Sequence, residues 1–186
     1  MKTKSIFIAA LTAISIVACK NDSKTETAAA PQEAVKKNFT VQVDIVADKQ
    51  DDMPLYYTED GTINFGGEKV VWNGIKALPN KTQTVDLGLS EEVIPTHIRI
   101  DFGAKQGEAQ GDITLEKFRM SYYGKTFETR GADFLKYFIK NDSVQTVIDE
   151  AKGTITFKRN PKSKLNRFYY PQQSILDEIK KMTVAL

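Results

Sequence analysis

Apolar and polar residues alternate along most of the chain between Phe39 and Phe157. A period of two predicts β-strands, because successive side chains of a strand point to opposite faces of a sheet. Turn residues such as Asp60-Gly61 and Gly66-Gly67 separate these short runs, which favours an antiparallel arrangement over a parallel one. The alternating runs are Phe39–Ile45, Met53–Tyr57, Val70–Trp72, Val85–Leu89, Ile98–Phe102, Ile113–Tyr122 and Ile155–Phe157. The pattern predicts a mainly β protein with an antiparallel, jelly-roll-like β-sandwich.

The longest alternating run changes phase in its middle. Ile113 and Leu115 share one parity, whereas Phe118 and Met120 share the other. One extra residue at Glu116-Lys117 would return all four side chains to the same face. The phase change therefore predicts a β-bulge at this position.

Two segments have helical rather than strand spacing. Apolar residues recur at three- and four-residue intervals in Ala132–Lys140 and again in Gln173–Met182, so the sequence predicts one or two short helices. The second helix would pack over one end of the sandwich. Tyr169-Tyr170, just before it, is interpreted as a packing latch for that helix.

The N-terminal residues have the pattern of a secretory signal. Lys2 and Lys4 precede an apolar stretch over residues 5–18, which is too short to span a bilayer comfortably and predicts a signal peptide over residues 1–18. Ile16-Val17-Ala18 before Cys19, the single cysteine of the chain, resembles the lipobox of bacterial lipoproteins. The resemblance implies cleavage after Ala18 and a lipid on Cys19, which would hold the protein to the membrane. The alternative is an ordinary signal peptide with a chance cysteine.

The segment after Cys19 differs in composition from the rest of the chain. Residues 19–37 are polar and Ala-rich and contain Pro31, so we expect a lipidated cysteine followed by a flexible tether of about 18 residues, with residues 38–186 forming one sandwich domain. Lys20-Asn21-Asp22 is similar to the starts of lipoproteins that Bacteroidetes display on the cell surface. Location at the outer membrane is therefore expected, either facing the periplasm or on the surface.

The charge balance argues against a nucleic-acid partner. The chain carries 26 Lys+Arg and 24 Asp+Glu, and loss of Lys2 and Lys4 with the signal peptide leaves 24 of each. A neutral protein lacks the basic surface that binding to phosphate backbones requires.

Sequence motifs for catalysis are missing. His97 is the single histidine, which excludes a two-histidine metal site, and there is no Walker loop, G-x-G-x-x-G or G-x-S-x-G motif. We therefore expect no enzymatic activity. A small glycoside hydrolase remains a lesser alternative, because two facing carboxylates would suffice and the sequence does not single out a pair.

Two acidic loops are candidate calcium sites. Asp48, Asp51 and Asp52 share one loop, and calcium prefers several oxygen ligands of this kind. Asp101, Glu108 and Asp112 flank a second, glycine-rich segment. Neither group has EF-hand spacing, so solvated loop acids are favoured and no cofactor is expected.

The aromatic residues give the best indication of function. Parity places Tyr57, Trp72 and Tyr122 on core-facing positions. The opposite parity of their strands carries a polar and aromatic set, which would suit a glycan, because tyrosine stacks on sugar rings while charged groups bind hydroxyls. An ordinary solvated sheet face is the alternative. The candidate ligand-binding residues are Tyr56, His97, Arg99, Asp101, Arg119 and Tyr123.

Three segments carry a family resemblance. Leu55–Gly61, Ile98–Gly103 and Gly131–Phe138 are similar to segments of poorly characterised sandwich domains in Bacteroidetes envelope proteins, which look like galactose-binding or carbohydrate-binding-module jelly rolls. The resemblance implies a binding role and transfers no catalytic residue. We expect a lipid-anchored envelope protein that binds carbohydrate. The alternative is an accessory or assembly lipoprotein that binds another envelope protein.

The side of the outer membrane on which the domain lies can be tested by surface proteolysis of intact cells. A surface-displayed domain should be degraded by added protease, because the tether would hold it outside the membrane. Complete protection of the domain would exclude display and favour the periplasmic orientation.

Overall fold

The computed structural model describes residues 37–184. The predicted signal peptide, Cys19 and the tether up to residue 36 lie outside the described residues. Ten strands, two short 3₁₀ helices and one α-helix make up this region. The strands are β1 (Thr40–Ala47), β2 (Asp51–Thr58), β3 (Val70–Ile75), β4 (Leu78–Gly88), β5 (His97–Asp101), β6 (Ile113–Tyr122), β7 (Lys125–Arg130), β8 (Thr146–Asp149), β9 (Thr154–Phe157) and β10 (Phe168–Tyr169). The 3₁₀ helices are Gly107–Ala109 and Gly131–Lys136, and α1 is Gln173–Thr183.

The strands form two antiparallel sheets. One sheet has the order β4-β1-β6-β9-β8, with β7 also paired to β6, and the other has the order β10-β5-β2-β3. The predicted mainly β class and the antiparallel pairing are confirmed. The chain changes sheet between β1 and β2, at each step from β3 to β6, and again between β9 and β10, whereas β2–β3, β6–β7 and β8–β9 pair within one sheet.

The apolar parity of both sheets forms one core. Phe39, Val41, Val43 and Ile45 are fully buried in or beside β1, as the alternation predicts, and they share a hydrophobic cluster with Ile98 and its neighbours of the other sheet. Burying a side chain of this size contributes about 1.5–3 kcal/mol. The alternating pattern therefore accounts for most of the packing that holds the two sheets together.

The predicted bulge in β6 is confirmed. Asp44 of β1 pairs with Lys117, and the next residue, Ile45, pairs with Leu115, so Glu116 has no partner in β1. The extra residue returns Leu115 and Phe118 to the same buried face.

The turn between β6 and β7 has a left-handed backbone. Tyr123 has a φ of 46° and Gly124 a φ of 78°. Two central residues with positive φ match a type I′ hairpin turn, whose twist fits that of the two flanking strands. Tyr123 therefore projects from a turn and not from a sheet face.

The predicted phase of β3 is wrong. Trp72 pairs with Pro54 and is 53% exposed, whereas Val71 pairs with Leu55 and packs against the core. Val70, Val71 and Trp72 are consecutive apolar residues, so alternation alone does not reveal which parity is buried. Tyr57 packs against the core and Tyr122 is buried, in agreement with the sequence prediction.

The predicted helix over Ala132–Lys140 is also wrong in type and length. Only Gly131–Lys136 is helical, as a 3₁₀ segment, and Ile139 is 54% exposed. Residues 170–172 form hydrogen bonds with backbone groups that a longer helix would use for its own hydrogen bonds. The Ile139 amide donates to the Tyr170 carbonyl at 2.8 Å, and the Gln172 side-chain amide donates to the carbonyls of Leu135 and Phe138.

The C-terminal helix is confirmed as α1. Its buried face consists of Ile175, Ile179 and Met182, at the spacing that the sequence predicts. Within residues 37–184, no helix combines the length and the apolar character needed to cross a bilayer.

A buried polar cluster joins the loops around Gly103. Oδ1 of Asp51 accepts the backbone amides of Asp52, Ala104 and Lys105 at 2.8–3.0 Å. Arg167 is 2% exposed and donates through Nη1 to the carbonyls of Gly111 and Phe157.

Gly103 lies between the two charged side chains of this cluster. It has a φ of +94°, and an added Cβ would meet both Asp51 Oδ2 and Arg167 Nη2. Neither of these two atoms has a hydrogen-bond partner within the described residues. The cluster therefore packs around a position that only glycine fits.

We expect Gly103→Ala to lower the free energy of unfolding by roughly 2–4 kcal/mol, because it combines a left-handed φ with overpacking. Gly61→Ala is the matched control, since Gly61 has a φ of +78° but no heavy atom within 4 Å of an added Cβ. In that variant the free energy of unfolding should fall by only about 1–2 kcal/mol, because only the backbone conformation is strained. Equal losses in urea unfolding would show that contact with Asp51 and Arg167 plays no part.

Candidate functional site

The outer face of the four-stranded sheet brings several of the predicted ligand-binding residues together. Tyr56 of β2 lies directly opposite Arg99 of β5, and His97 lies opposite Thr58 in the same strand pair. Asp101 follows Arg99 at a spacing of two, so its side chain is on the same face as Arg99. The outward-facing positions of β2 and β5 therefore lie next to each other on one sheet face.

Aromatic rings surround the Arg99 guanidinium. Its Cζ lies 4.0 Å from the centroid of the Tyr56 ring. It also lies 6.0 Å from the Phe65 ring, 5.8 Å from the Phe168 ring and 5.7 Å from the Tyr170 ring. Each such cation–π contact contributes about 0.5–1 kcal/mol at an exposed site and more when desolvated. We call this surface the Arg99 face; it consists of Tyr56, Arg99, Phe65, Phe168 and Tyr170, together with Trp72, which contacts Tyr56.

Asp101 fixes the orientation of Arg99. Nε and Nη2 of Arg99 donate to the two carboxylate oxygens of Asp101, both at 2.9 Å. Asp101 is fully buried, next to its β10 partner Phe168, while the Arg99 side chain is 16% exposed. Asp101 therefore positions Arg99 and is not itself open to solvent, although the sequence pattern placed it outward.

Burial and the ion pair shift the pKa values of Asp101 and Arg99 in opposite directions. Burial raises the pKa of Asp101, and the hydrogen bonds from Arg99 offset part of this rise. For Arg99, burial acts to lower the pKa, but the bonds to Asp101 outweigh it and the pKa is raised. The arginine therefore stays charged, and the ionised carboxylate depends on it.

The aromatic surface continues beyond Arg99 in both directions. Trp72 of the edge strand β3 contacts Tyr56 edge to face, with 6.4 Å between the ring centroids. On the other side, Tyr170 lies 5.7 Å from Phe65 and 5.6 Å from Phe168. The rings thus form a row from Trp72 to Tyr170, interrupted by the guanidinium of Arg99.

An open groove of about 360 Å³ adjoins the Tyr170 end of this row. Ile63 and Ile139 on its walls are 58% and 54% exposed, which is unusual for large aliphatic side chains. Asn64 and Lys140 add polar groups to the lining. A mainly apolar groove with a few polar groups is typical of small-molecule sites.

His97 belongs to a different part of the surface. Its Nδ1 is 3.2 Å from the Thr96 hydroxyl. The ring lines a second groove, of about 560 Å³, whose other wall is α1 with Leu176 and Lys180. Its outward parity is therefore correct, but it lies away from the aromatic row.

Arg119 and Tyr123 lie on the other sheet. Arg119 of β6 donates to Glu128 of β7 at 3.1 Å, and this contact lowers the pKa of the Glu128 carboxyl. Tyr123 occupies the β6–β7 turn and packs its ring against Tyr122. The six predicted residues therefore divide between the two sheets, and only Tyr56, Arg99 and Asp101 form one site.

The acidic side chains of the two loops do not gather into one cluster in the part of the chain that the structure describes. No group of three His, Cys, Asp or Glu side chains suited to a metal ion occurs within residues 37–184. Asp51 is buried and bound by backbone amides, whereas Asp48 and Asp52 are exposed. In the second loop, Asp112 is paired with Lys158.

Sequence reasoning missed four rings of this site. Trp72 was assigned to the wrong face of β3, and Phe65 lies in the loop between β2 and β3, where no periodicity applies. Phe168 and Tyr170 flank the buried Tyr169 with a spacing of two, which is the one signal that could have placed them outward.

No protein-family model, curated protein or solved structure matches this chain. The three segments that resemble sandwich domains fall on the end of β2 with its turn, on β5 with its turn, and on the second 3₁₀ helix. The family resemblance therefore remains an expectation based on short motifs.

We expect Arg99→Met to lower the free energy of unfolding at pH 7 by about 3–5 kcal/mol, because it leaves the buried Asp101 carboxylate unpaired. Loss of Arg99 should raise the pKa of Asp101 further above its unfolded value. The folded variant then binds a proton that the unfolded chain has released, so its stability falls as pH rises between these two pKa values.

The double variant Arg99→Met with Asp101→Asn is the control, since it lacks the titrating group. Chemical denaturation between pH 4 and pH 8 should show a stability loss that grows with pH in the single variant only. A loss that is independent of pH in both variants would contradict the dependence of Asp101 on Arg99.

Proposed function

We propose that this protein is a lipid-anchored, non-catalytic binding protein of the cell envelope that recognises carbohydrate through the Arg99 face. The observation that supports this most is the row of rings from the exposed Trp72 to the half-buried Tyr170, which runs into an open groove. Cys19 would carry the lipid at the outer membrane, and the tether would let the domain reach its ligand on either side. We also propose that the two sheets have a jelly-roll topology and that the domain is related to the sandwich domains of Bacteroidetes envelope proteins.

The chemistry of the Arg99 face suits a sugar. The C–H faces of a sugar ring are apolar and stack on aromatic side chains, and Trp72 is 53% exposed for such a contact. Hydroxyl groups need donors and acceptors, which the Asn64 amide and the Arg99 guanidinium can supply. Aromatic side chains that are already rigid, together with a few polar groups, can orient a bound sugar without a large loss of side-chain entropy.

Binding is favoured over hydrolysis at this face. A glycosidase needs two carboxyl groups that face the scissile bond. Asp101, the carboxylate paired with Arg99, has both oxygens engaged by that arginine and is fully buried.

A protein partner is the second candidate function. β8 is an edge strand of the larger sheet, and its Val147 and Ile148 are 48% and 49% exposed. Exposed apolar residues on an unpaired edge can accept an added strand from another protein. An assembly role would therefore use β8 and not the Arg99 face.

A glycan-array screen of the mature chain, residues 19–186 with Cys19→Ala for solubility, tests the main proposal. We expect a specific hit, and we expect Trp72→Ala to weaken it about tenfold or more through loss of ring stacking, equivalent to about 1.4 kcal/mol or more. Tyr123→Asn is the matched control, because Tyr123 is an exposed aromatic residue on the other sheet.

Binding of an extended glycan that is unchanged in Trp72→Ala, or binding that is lost in Tyr123→Asn, would contradict the proposed face. A clean negative on folded protein would reject carbohydrate binding. Capture of an envelope protein that depends on Val147 and Ile148 would then support the assembly role.

A further inference from the structure

Arg99 divides the aromatic row into two contact areas. On one side lie Tyr56 and Trp72, with 6.4 Å between their centroids. On the other side Tyr170, 5.7 Å from the Arg99 Cζ, leads into the groove with Ile63 and Ile139. A ligand that contacts Trp72 and the groove at the same time must pass across the guanidinium.

Neither contact area alone covers the whole surface from Trp72 to the groove. The groove, at about 360 Å³, is near the lower end of the range for ligand pockets, so it holds a short fragment. Trp72 lies outside the groove on the edge strand β3, separated from it by Tyr56 and Arg99. The two areas are therefore positioned for different units of one extended molecule.

The charges along this surface are balanced. The Arg99 guanidinium is paired with Asp101, and Lys69, just before β3, pairs with Glu59 at 2.9 Å. Lys140 at the groove has Asp142 at 4.0 Å. An acidic ligand would have to compete with these carboxylates, so the surface favours an uncharged ligand.

Arg99 can still contribute to binding across the junction. Its pair with Asp101 uses Nε and Nη2, and the guanidinium also interacts with the Tyr170 side chain, so a ligand hydroxyl would share the remaining N–H donors with Tyr170. The Tyr56 ring stacks on the guanidinium and limits its movement. A fixed donor between two apolar contact areas suits a hydroxylated chain better than a purely apolar one.

We infer that the Arg99 face binds an extended, uncharged oligosaccharide at two areas, the groove and the Tyr56–Trp72 rings, which the ligand joins by crossing Arg99. This inference depends on the proposed function, because it specifies the ligand class of the same site. It predicts that affinity increases with chain length until the ligand reaches Trp72. It also predicts that Trp72 contributes nothing to the binding of the shortest ligands.

Calorimetric titration with neutral oligosaccharides of increasing length tests the inference. The probes are malto-, cello-, xylo- and chito-oligosaccharides, with oligogalacturonides as the acidic comparison, and the protein is the mature chain with Cys19→Ala. For the series that binds, affinity should rise at least tenfold from the shortest to the longest member and then level off. It should change little between about 0.1 M and about 1 M salt, where screening lengths differ about threefold.

Two variants separate the contact areas. Trp72→Ala should reduce the affinity for long chains to that for short ones and leave short chains unaffected. Ile139→Ala should weaken short and long chains by the same factor, because both occupy the groove.

The possible failures can be distinguished. Absence of binding to every series by folded protein would overturn the proposed function. Equal affinity for short and long chains, or equal effects of Trp72→Ala on both, would overturn the two-area inference while carbohydrate binding stands. Preference for oligogalacturonides with a strong salt dependence would overturn the expectation of an uncharged ligand.

Discussion

The ion pair between Arg99 and Asp101 determines the character of the outer sheet face. A carboxylate that is fully buried needs a fixed cation, and the fork of two 2.9 Å bonds provides it. Once held in this way, the guanidinium offers a flat surface on which Tyr56 stacks, and Phe168 and Tyr170 gather around it. An aromatic surface can thus be built around a charge without exposing that charge as a general anion site.

The fold could be predicted where one face of a strand is apolar and the other polar. β1 and β6 meet that condition, and even the bulge at Glu116 was visible in the pattern. β3 begins with three consecutive apolar residues, so alternation does not show which of their side chains are buried. The predicted core position of Trp72 is wrong for this reason. The helix predicted over Ala132–Lys140 is shorter than expected, because the Gln172 side chain, far away in sequence, binds the carbonyls of Leu135 and Phe138.

The candidate site was predictable only in its strand residues. Parity identified Tyr56 and Arg99, but parity does not say which sheet a strand joins. Arg119, with the same outward parity, therefore proved to belong to the other layer. The ring of Phe65 is brought to the site by a loop, and Asp51 became an acceptor for backbone amides, so neither role could be derived from residue type and spacing.

The bulge at Glu116 also affects the border of the larger sheet. Beyond it, β6 pairs with β7 over one half, and before it with β9 over the other. On that side, two short strands therefore form the border of the sheet in place of one long, flat edge strand. β7 has six residues and β8 has four. Short, offset borders offer few consecutive unpaired backbone groups, so they are poor templates for fibril-like stacking of many copies of this chain.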